Sequence, residues 1–287
     1  MNLRNLLKRP EYLWRPGQII RRFSRIGRKP AATEDLTLPW GAGIRVRIAE
    51  NIGSDIYHYG IFDPIVPETI WRLLDRGETA IDVGANIGQN TSLMAFRAAA
   101  SGCVIAFEPH PMTFQELQQN FAGWNKDRLA PIQLENVALG NEHGHASLST
   151  TTYLSGARLS SAENGIKVQL RPLDSFLLTE RMVGVCKIDV EGHELGVLQG
   201  AEQTLSRRGI RDIIFEDFDP KPSAVTRLLQ GHGYAIFELH KSWLKPRIIP
   251  LGEKISTDFT FNYLATLNVA RTESRFKTPG WRCLIGL

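Results

Sequence analysis

Cysteine is scarce in this chain: Cys103, Cys186 and Cys283 are odd in number and far apart, and two of them sit in apolar, strand-like runs. That excludes a disulfide scaffold or a cysteine-rich metal cluster and fits buried thiols in a reducing compartment. Long apolar runs are missing as well. None approaches the roughly 20 residues that a membrane-spanning helix needs, and the N-terminus lacks the apolar core and cleavage site of a secretory signal, so the expected location is the cytoplasm. Net charge is small, +4, and unevenly placed. Residues 1–30 hold nine Lys/Arg against Glu11, whereas the remainder carries 25 basic and 29 acidic residues. The body is thus weakly acidic, and no nucleic-acid partner is expected. What is present is ordinary: 43% apolar, 22% charged and 9% aromatic residues over 287 positions suit one main globular domain of enzyme size.

Composition and periodicity divide the chain into four parts. Residues 1–40 mix the basic side chains with Leu3, Leu6, Leu13, Trp14, Ile20 and Phe23, broken by Pro10, Pro16 and Pro30. This reads as an amphipathic arm that contacts acidic membrane, or as an extension packed on the body. Residues 41–78 begin with the strand-like alternation Ile44-Arg45-Val46-Arg47-Ile48 and reach helical spacing at Glu68–Leu74, a segment placed to act as a lid. Residues 79–270 alternate apolar runs with helical patterns, the mark of βα units around a parallel sheet. Strands are expected at 80–83, 103–107, 132–138, 185–190, 213–216, 235–239 and 259–264, and helices at 89–100, 111–121, 173–178, 195–207 and 223–231. The last two strands lack an intervening helix, which predicts an antiparallel C-terminal hairpin. A polar stretch from about 140 to 170 predicts an extra hairpin and loop, and 271–287 form a tail.

Three strand ends carry the chemistry. In Ala80-Ile81-Asp82-Val83-Gly84-Ala85-Asn86-Ile87-Gly88-Gln89-Asn90-Thr91, an apolar strand bearing an acid runs into a glycine turn and then a helix. Such a turn lets backbone approach a ligand and offers the free amides of a helix N-terminus. The G-x-x-x-G spacing is not the dinucleotide fingerprint, and a carboxylate there repels a pyrophosphate but suits an ammonium and a sulfonium. S-adenosylmethionine is therefore favoured over NAD. Next, Val104-Ile105-Ala106-Phe107-Glu108-Pro109 places an acid at the end of the second strand, where it can accept hydrogen bonds from ribose hydroxyls. Finally, Lys187-Ile188-Asp189-Val190-Glu191-Gly192-His193-Glu194 brings titratable groups to the same edge of the sheet. The competing reading of this last motif is a helix start, with Glu191 and Glu194 favoured by the dipole and His193 merely solvated.

With Glu135-Asn136-Val137-Ala138, Leu173-Asp174-Ser175-Phe176 and Ile214-Phe215-Glu216, these motifs resemble the FkbM family of methyltransferases over about residues 79–217. The resemblance implies a Rossmann-like class I methyltransferase fold with a mostly parallel seven-stranded sheet. It also implies S-adenosylmethionine as methyl donor and O-methylation of hydroxyls on sugars or natural products. It places Asp82, Gly84, Asn86, Gly88 and Thr91 around the methionine end of the cofactor and Glu108 on the ribose. Asn136 and Ala138 would flank the adenine, with Asp189 beside the reacting methyl.

Methyl transfer to a hydroxyl needs alignment and proton removal. Glu191 or His193 is the expected base, with Asp189 orienting cofactor or acceptor. An ordinary carboxylate is a poor match for an alcohol proton, so a raised pKa or an assisting metal is needed. Asp189, Glu191 and His193, so close in sequence, are a weak metal signal to which no metal site is assigned. The acceptor, a small molecule or glycan, is expected to meet residues 55–63 and 150–165, where Tyr57, His58, Tyr153 and Arg158 could bind polyhydroxylated ligands. Transfer to nitrogen, to a protein or lipid head group, and a non-catalytic scaffold remain as alternatives.

Overall fold

A computed structural model describes residues 9–18, 20, 31–149, 165–177, 181–253 and 260–286, together with the backbone of 159–160. The expectations for Tyr153 and Arg158, and for much of the basic arm, fall outside these residues.

An eight-stranded sheet organises the molecule. Its parallel centre consists of β3 (Thr79–Val83), β4 (Cys103–Phe107), β5 (Ile132–Glu135), β10 (Val183–Ile188) and β11 (Ile210–Glu216). The far side adds β12 (Ala235–His240), β13 (Arg247–Pro250) and β14 (Asn262–Thr266), giving the order β13-β12-β14-β11-β10-β3-β4-β5. The last strand in sequence, β14, inserts between β11 and β12 and runs antiparallel to both. These are the seven expected strands and an eighth, β13, at the edge.

Every residue of β3 and β10 is buried, as strands covered on both faces require. The pleat sends alternate side chains to opposite sides. Ala80, Val104, Val185 and Ile214 face one core with α3 (Ile65–Leu73) and α4 (Gln89–Ala98). Ile81, Ile105, Cys186 and Ile213 face the other, which takes α6 (Glu194–Gln199), α7 (Glu202–Ser206) and α8 (Ala224–Gly231). A separate small sheet joins β6 (Ala138–Leu139), β7 (Gly144–Leu148), β8 (Leu159–Ser160) and β9 (Ile166–Arg171), in which β7 pairs antiparallel with both β8 and β9 where the polar stretch predicted an extra hairpin.

The segment before the sheet is fastened down. β1 (Thr33–Thr37) pairs with β2 (Gly43–Arg47), so one hairpin spans the division drawn at residue 40. Ile44 and Val46 are buried while Gly43 and Arg45 are exposed, as the alternation required. The hairpin and α2 (Asn51–Tyr59) lie over α4 and α5 (Pro111–Ala122). Asn120 Oδ1 accepts from Arg45 N at 2.7 Å, the Trp124 indole donates to Gly43 O at 2.8 Å, and the Trp40 indole donates to Ser92 Oγ at 3.0 Å.

The tail is equally built in. α9 (Val269–Lys277) and α10 (Arg282–Ile285) pack on α3, where buried Arg72 donates to the carbonyls of Arg275, Thr278 and Gly280 at 2.6, 3.0 and 2.7 Å. Glu68 pairs with Arg72 at 2.8 Å and accepts the Cys283 amide at 2.8 Å.

Several expected boundaries are corrected by tertiary contacts. The strand expected over 132–138 stops at Glu135, where Asn136 Nδ2 donates to Glu108 O and Pro109 O at 2.8 and 3.1 Å and the chain turns into β6. The helix expected over 195–207 breaks at Gly200, where a Cβ would lie 1.9 Å from Gly140 O. The helix expected at 173–178 is a single 3-10 turn, Leu173–Ser175, after Pro172. The third motif strand ends at Ile188, so Asp189 and Val190 lie just beyond it.

Candidate active site

The carboxyl ends of β3, β4, β10 and β11 open into one cavity of about 650 Å³. Crevices at this edge of a parallel sheet are where ligands bind, because loops diverge there and helix N-termini point inward. Its floor is the turn after β3. Gly84 has φ +77°, and a Cβ on it would lie 1.9 Å from Asp189 O, so the two strand ends touch through bare backbone. Asn86, also left-handed at φ +49°, donates its amide to Glu108 Oε2 at 2.9 Å.

Glu108 closes that side. Its second oxygen accepts the His110 amide at 2.9 Å, and the buried carboxyl is pushed up to about 7 by desolvation, which outweighs those two hydrogen bonds. Val137, Ala138, Leu139 and Phe107 supply an apolar wall beside it. His110 caps α5 by accepting the Thr113 amide at 3.4 Å.

Behind the floor lies a buried ion cluster. Lys187 Nζ sits 3.5 Å from Asp82 Oδ1 and 3.4 Å from Asp189 Oδ2, and it donates to Gly84 O at 2.6 Å. Burial works against its charge, but Asp189, Asp82 and Glu216 together carry its pKa above the ordinary lysine value. Asp82 accepts from Thr91 Oγ1 at 2.6 Å, and burial raises its pKa. The cluster fixes the spacing between the glycine turn and the end of β10.

Of the residues expected at the site, Gly84, Asn86, Glu108, Ala138, Asp189, Glu191 and His193 line the cavity. Asp82 and Thr91 are buried behind its wall, where Thr91 holds Asp82 and Asp82 lies against Lys187. Gly88 packs its α-carbon toward Leu117 and Trp124, and exposed Asn136 braces the backbone at Glu108 and Pro109. From residues 55–63 the cavity takes Phe62 and Asp63, not Tyr57 or His58. Gln89 clamps this loop, accepting the Phe62 amide at 2.7 Å and donating to the Phe62 carbonyl at 3.0 Å.

Two functional groups escaped the sequence reading. Lys187 stood in a quoted motif without a role, although a lysine inside the apolar run Val183–Ile188 cannot be buried without acids. Glu216, at the end of β11, was noted only within the family resemblance. The register pairs Ile188 with Phe215, which sets Glu216 beside Asp189 at the cavity. Burial, then Asp189 and Asp63, push its carboxyl up to about 8.

At the third motif, Glu191 has φ +57° and leads into Gly192 at φ +101°. Glu194 accepts the amides of Val190 and Gly192 at 3.2 and 3.1 Å, so the helix-start reading describes Glu194 well. The His193 ring lies over Gly196, where a Cβ would meet Nε2 at 2.4 Å; that nitrogen is buried without a hydrogen-bond partner, and burial lowers the imidazole pKa.

A family model, the methyltransferase FkbM domain, matches residues 82–236. The chain belongs to the FkbM family. It is 30% identical over 185 residues to the hexuronic acid methyltransferase AglP of Haloferax volcanii, covering 56% of this chain and 72% of that protein. It is 29% identical over 200 residues to the 31-O-demethyl-FK506 methyltransferase FkbM of Streptomyces tacrolimicus, covering 57% and 75%. Among solved structures, an S-adenosylmethionine-dependent O-methyltransferase from Thermotoga maritima aligns with a TM-score of 0.41 at 13% identity, over 83% of this chain and 93% of that one. This FkbM-family protein is an S-adenosylmethionine-dependent methyltransferase with a Rossmann-like α/β fold.

The cavity fits the cofactor. The backbone of the Gly84–Asn86 turn lines the cavity, and the apolar wall beside Glu108 suits a base next to a ribose. Asn90 lines the cavity with its buried Oδ1 unpaired, an acceptor for a cationic donor. Among the described residues, no group of three or more His, Cys, Asp or Glu side chains has a metal-binding arrangement.

Proposed function

We propose that this enzyme O-methylates a hydroxyl of a sugar, glycolipid or natural product, with Glu216 taking the acceptor proton. The supporting observation is the juxtaposition of Asp189, Glu191, His193 and Glu216 at one end of the cavity, with Glu108 and the apolar wall at the other. Bound S-adenosylmethionine supplies an electrophilic methyl group on a sulfonium.

Transfer to an acceptor hydroxyl would require this chain to align the acceptor oxygen with that methyl group and to take up the hydroxyl proton. Asp189, held by Lys187, is anchored to position the reactants. Among the described residues Glu216 has no ion pair, and a carboxyl raised to about 8 is a better match for an alcohol proton than an ordinary one. Glu191 and His193 are the competing bases. His193 could serve only through Nδ1, since Nε2 faces Gly196. In this reading Asp82, itself held by Thr91, acts by holding Lys187, Gly84 and Asn86 form the cofactor turn, and Glu108 accepts from the ribose. Basic residues within 1–30 bring the enzyme to acidic membrane.

Calorimetric titration with S-adenosylhomocysteine tests the cofactor half of this reading. Wild type should bind, while Asp82→Ala and Glu108→Ala should bind at least tenfold more weakly, on the scale of losing a charged hydrogen-bonding group. Labelled methyl transfer to matched sugar alcohols, amines and carboxylates then tests the acceptor. Label appearing only on nitrogen would overturn O-methylation, and Glu216→Gln turnover equal to wild type would remove Glu216 as base.

A further inference from the structure

Large apolar side chains exposed singly are common on protein surfaces, but several brought together from distant segments and ringed by cations are not. Three segments meet in this way. Leu13, on α1 (Pro10–Trp14), is 51% exposed; Trp243 and Leu244, in the loop after β12, are 44% and 65% exposed; and Ile285, on α10, is 55% exposed.

Backbone contacts hold the three segments together. The Trp14 indole donates to Trp243 O at 2.8 Å, its ring lies against Gly280, and α10 packs on α1. Gly280 donates its amide to Leu244 O at 2.7 Å, and the Trp281 indole donates to Ser242 O at 2.9 Å. The exposed side chains of Trp243 and Leu244 take no part in these bonds, so the loop is fixed by its backbone while its apolar groups stay in water.

The loop itself is basic, and acids gather on the side of Lys241, where Asp63 and Asp55 lie. Between His240 and Gly252 the chain carries Lys241, Lys245 and Arg247 and no acid. Lys245 Nζ reaches Lys277 O at 3.2 Å, which brings Lys277 alongside, and Arg282 is exposed on α10. Glu11 beneath the patch is buried, and Asp63 is paired with Lys241 at 2.7 Å. Asp63 also lines the methyl-transfer cavity, so the patch flanks the cavity.

We infer that this surface, built by Leu13, Trp243, Leu244 and Ile285 within a ring of Lys and Arg, docks the enzyme onto an anionic lipid bilayer beside the mouth of its active site. Apolar side chains enter the head-group boundary while the cations remain at the phosphates, an arrangement suited to interfacial binding. The inference concerns folded residues and stands apart from the identity of the methyl acceptor. It extends the membrane contact expected of residues 1–30 to the loop after β12 and to α10, which pack against α1.

The test is flotation of the full-length chain with vesicles of phosphatidylcholine alone or containing about one-third phosphatidylglycerol. Wild type is compared with Trp243→Ser/Leu244→Ser and with Lys245→Glu/Arg247→Glu, and S-adenosylhomocysteine titration confirms that each variant keeps a folded cofactor site. Wild type should float with anionic vesicles at low salt and detach as salt approaches about 0.5 M. Each variant should bind on the order of tenfold more weakly or less, with cofactor affinity unchanged. No wild-type flotation overturns the inference. So does equal binding by the apolar-loop variant: sensitivity to charge reversal alone would assign the surface to a soluble polyanion, and sensitivity to neither would leave binding to residues 1–30.

Discussion

A single buried lysine decides the local electrostatics of this site. Removing one member of a buried ion cluster leaves the others uncompensated, at a cost of roughly 3–5 kcal/mol. Lys187→Met should therefore lower the urea midpoint sharply, and Asp82→Asn/Lys187→Met should recover part of the loss because neither charge then remains, a coupling that additive effects would not show. The two raised carboxyls make a pH prediction. Glu108 and Glu216, pushed up to about 7 and 8, bind protons more tightly folded than unfolded. Their contribution to stability is therefore present below their ordinary range and lost as pH rises toward 8; Glu108 alone accounts for about 3 kcal/mol. The ligand-free protein should melt progressively lower across that window. S-adenosylhomocysteine should behave oppositely, because an ionised Glu108 is the better acceptor for ribose hydroxyls: affinity measured by calorimetry should rise about tenfold from pH 6 to pH 8. A flat affinity would remove Glu108 from the ribose.

At the scale of elements, the turn after β3 has no room for a side chain. Gly84→Ala places a Cβ against Asp189 O in a left-handed backbone, and strain of this kind should weaken S-adenosylhomocysteine roughly tenfold or more while the far-UV spectrum stays native. An unchanged titration would mean that the turn does not touch cofactor. The same turn was legible in the sequence because local chemistry specifies it: an apolar strand, a glycine and a helix start are all visible within a dozen residues. The element boundaries that were missed depend on partners far along the chain. Gly200 breaks a helix because Gly140 O occupies the space, and Asn136 ends a strand by bonding the backbone at Glu108 and Pro109. β13 escaped because a short edge strand bounded by Pro246 and Pro250 carries little period-two pattern. Asp82 read as a cofactor contact because its place in the motif was visible, whereas the lysine that stands in front of it is recruited from a strand more than a hundred residues later.

For the molecule as a whole, the family match covers residues 82–236, but the fold depends on what surrounds that stretch. Arg72 binds three carbonyls of the C-terminal segment and is the partner of buried Glu68. Arg72→Leu should lose about 3–5 kcal/mol, seen calorimetrically as a melting temperature lower by roughly 6–15 °C, with cofactor binding intact at low temperature. A smaller loss would mean that α9 and α10 are held mainly by apolar burial of Trp281 and Phe276. The position of β14 has a consequence for biosynthesis. Chain emerging from the ribosome delivers β11 and β12 well before the strand that must lie between them, so until residue 266 is free, β11 presents an unpaired edge with an apolar face. The nascent protein passes through an adhesive interval that ends only when β14 is threaded into the gap, which makes chaperone access to the open β11 edge a determinant of how much active enzyme a cell obtains.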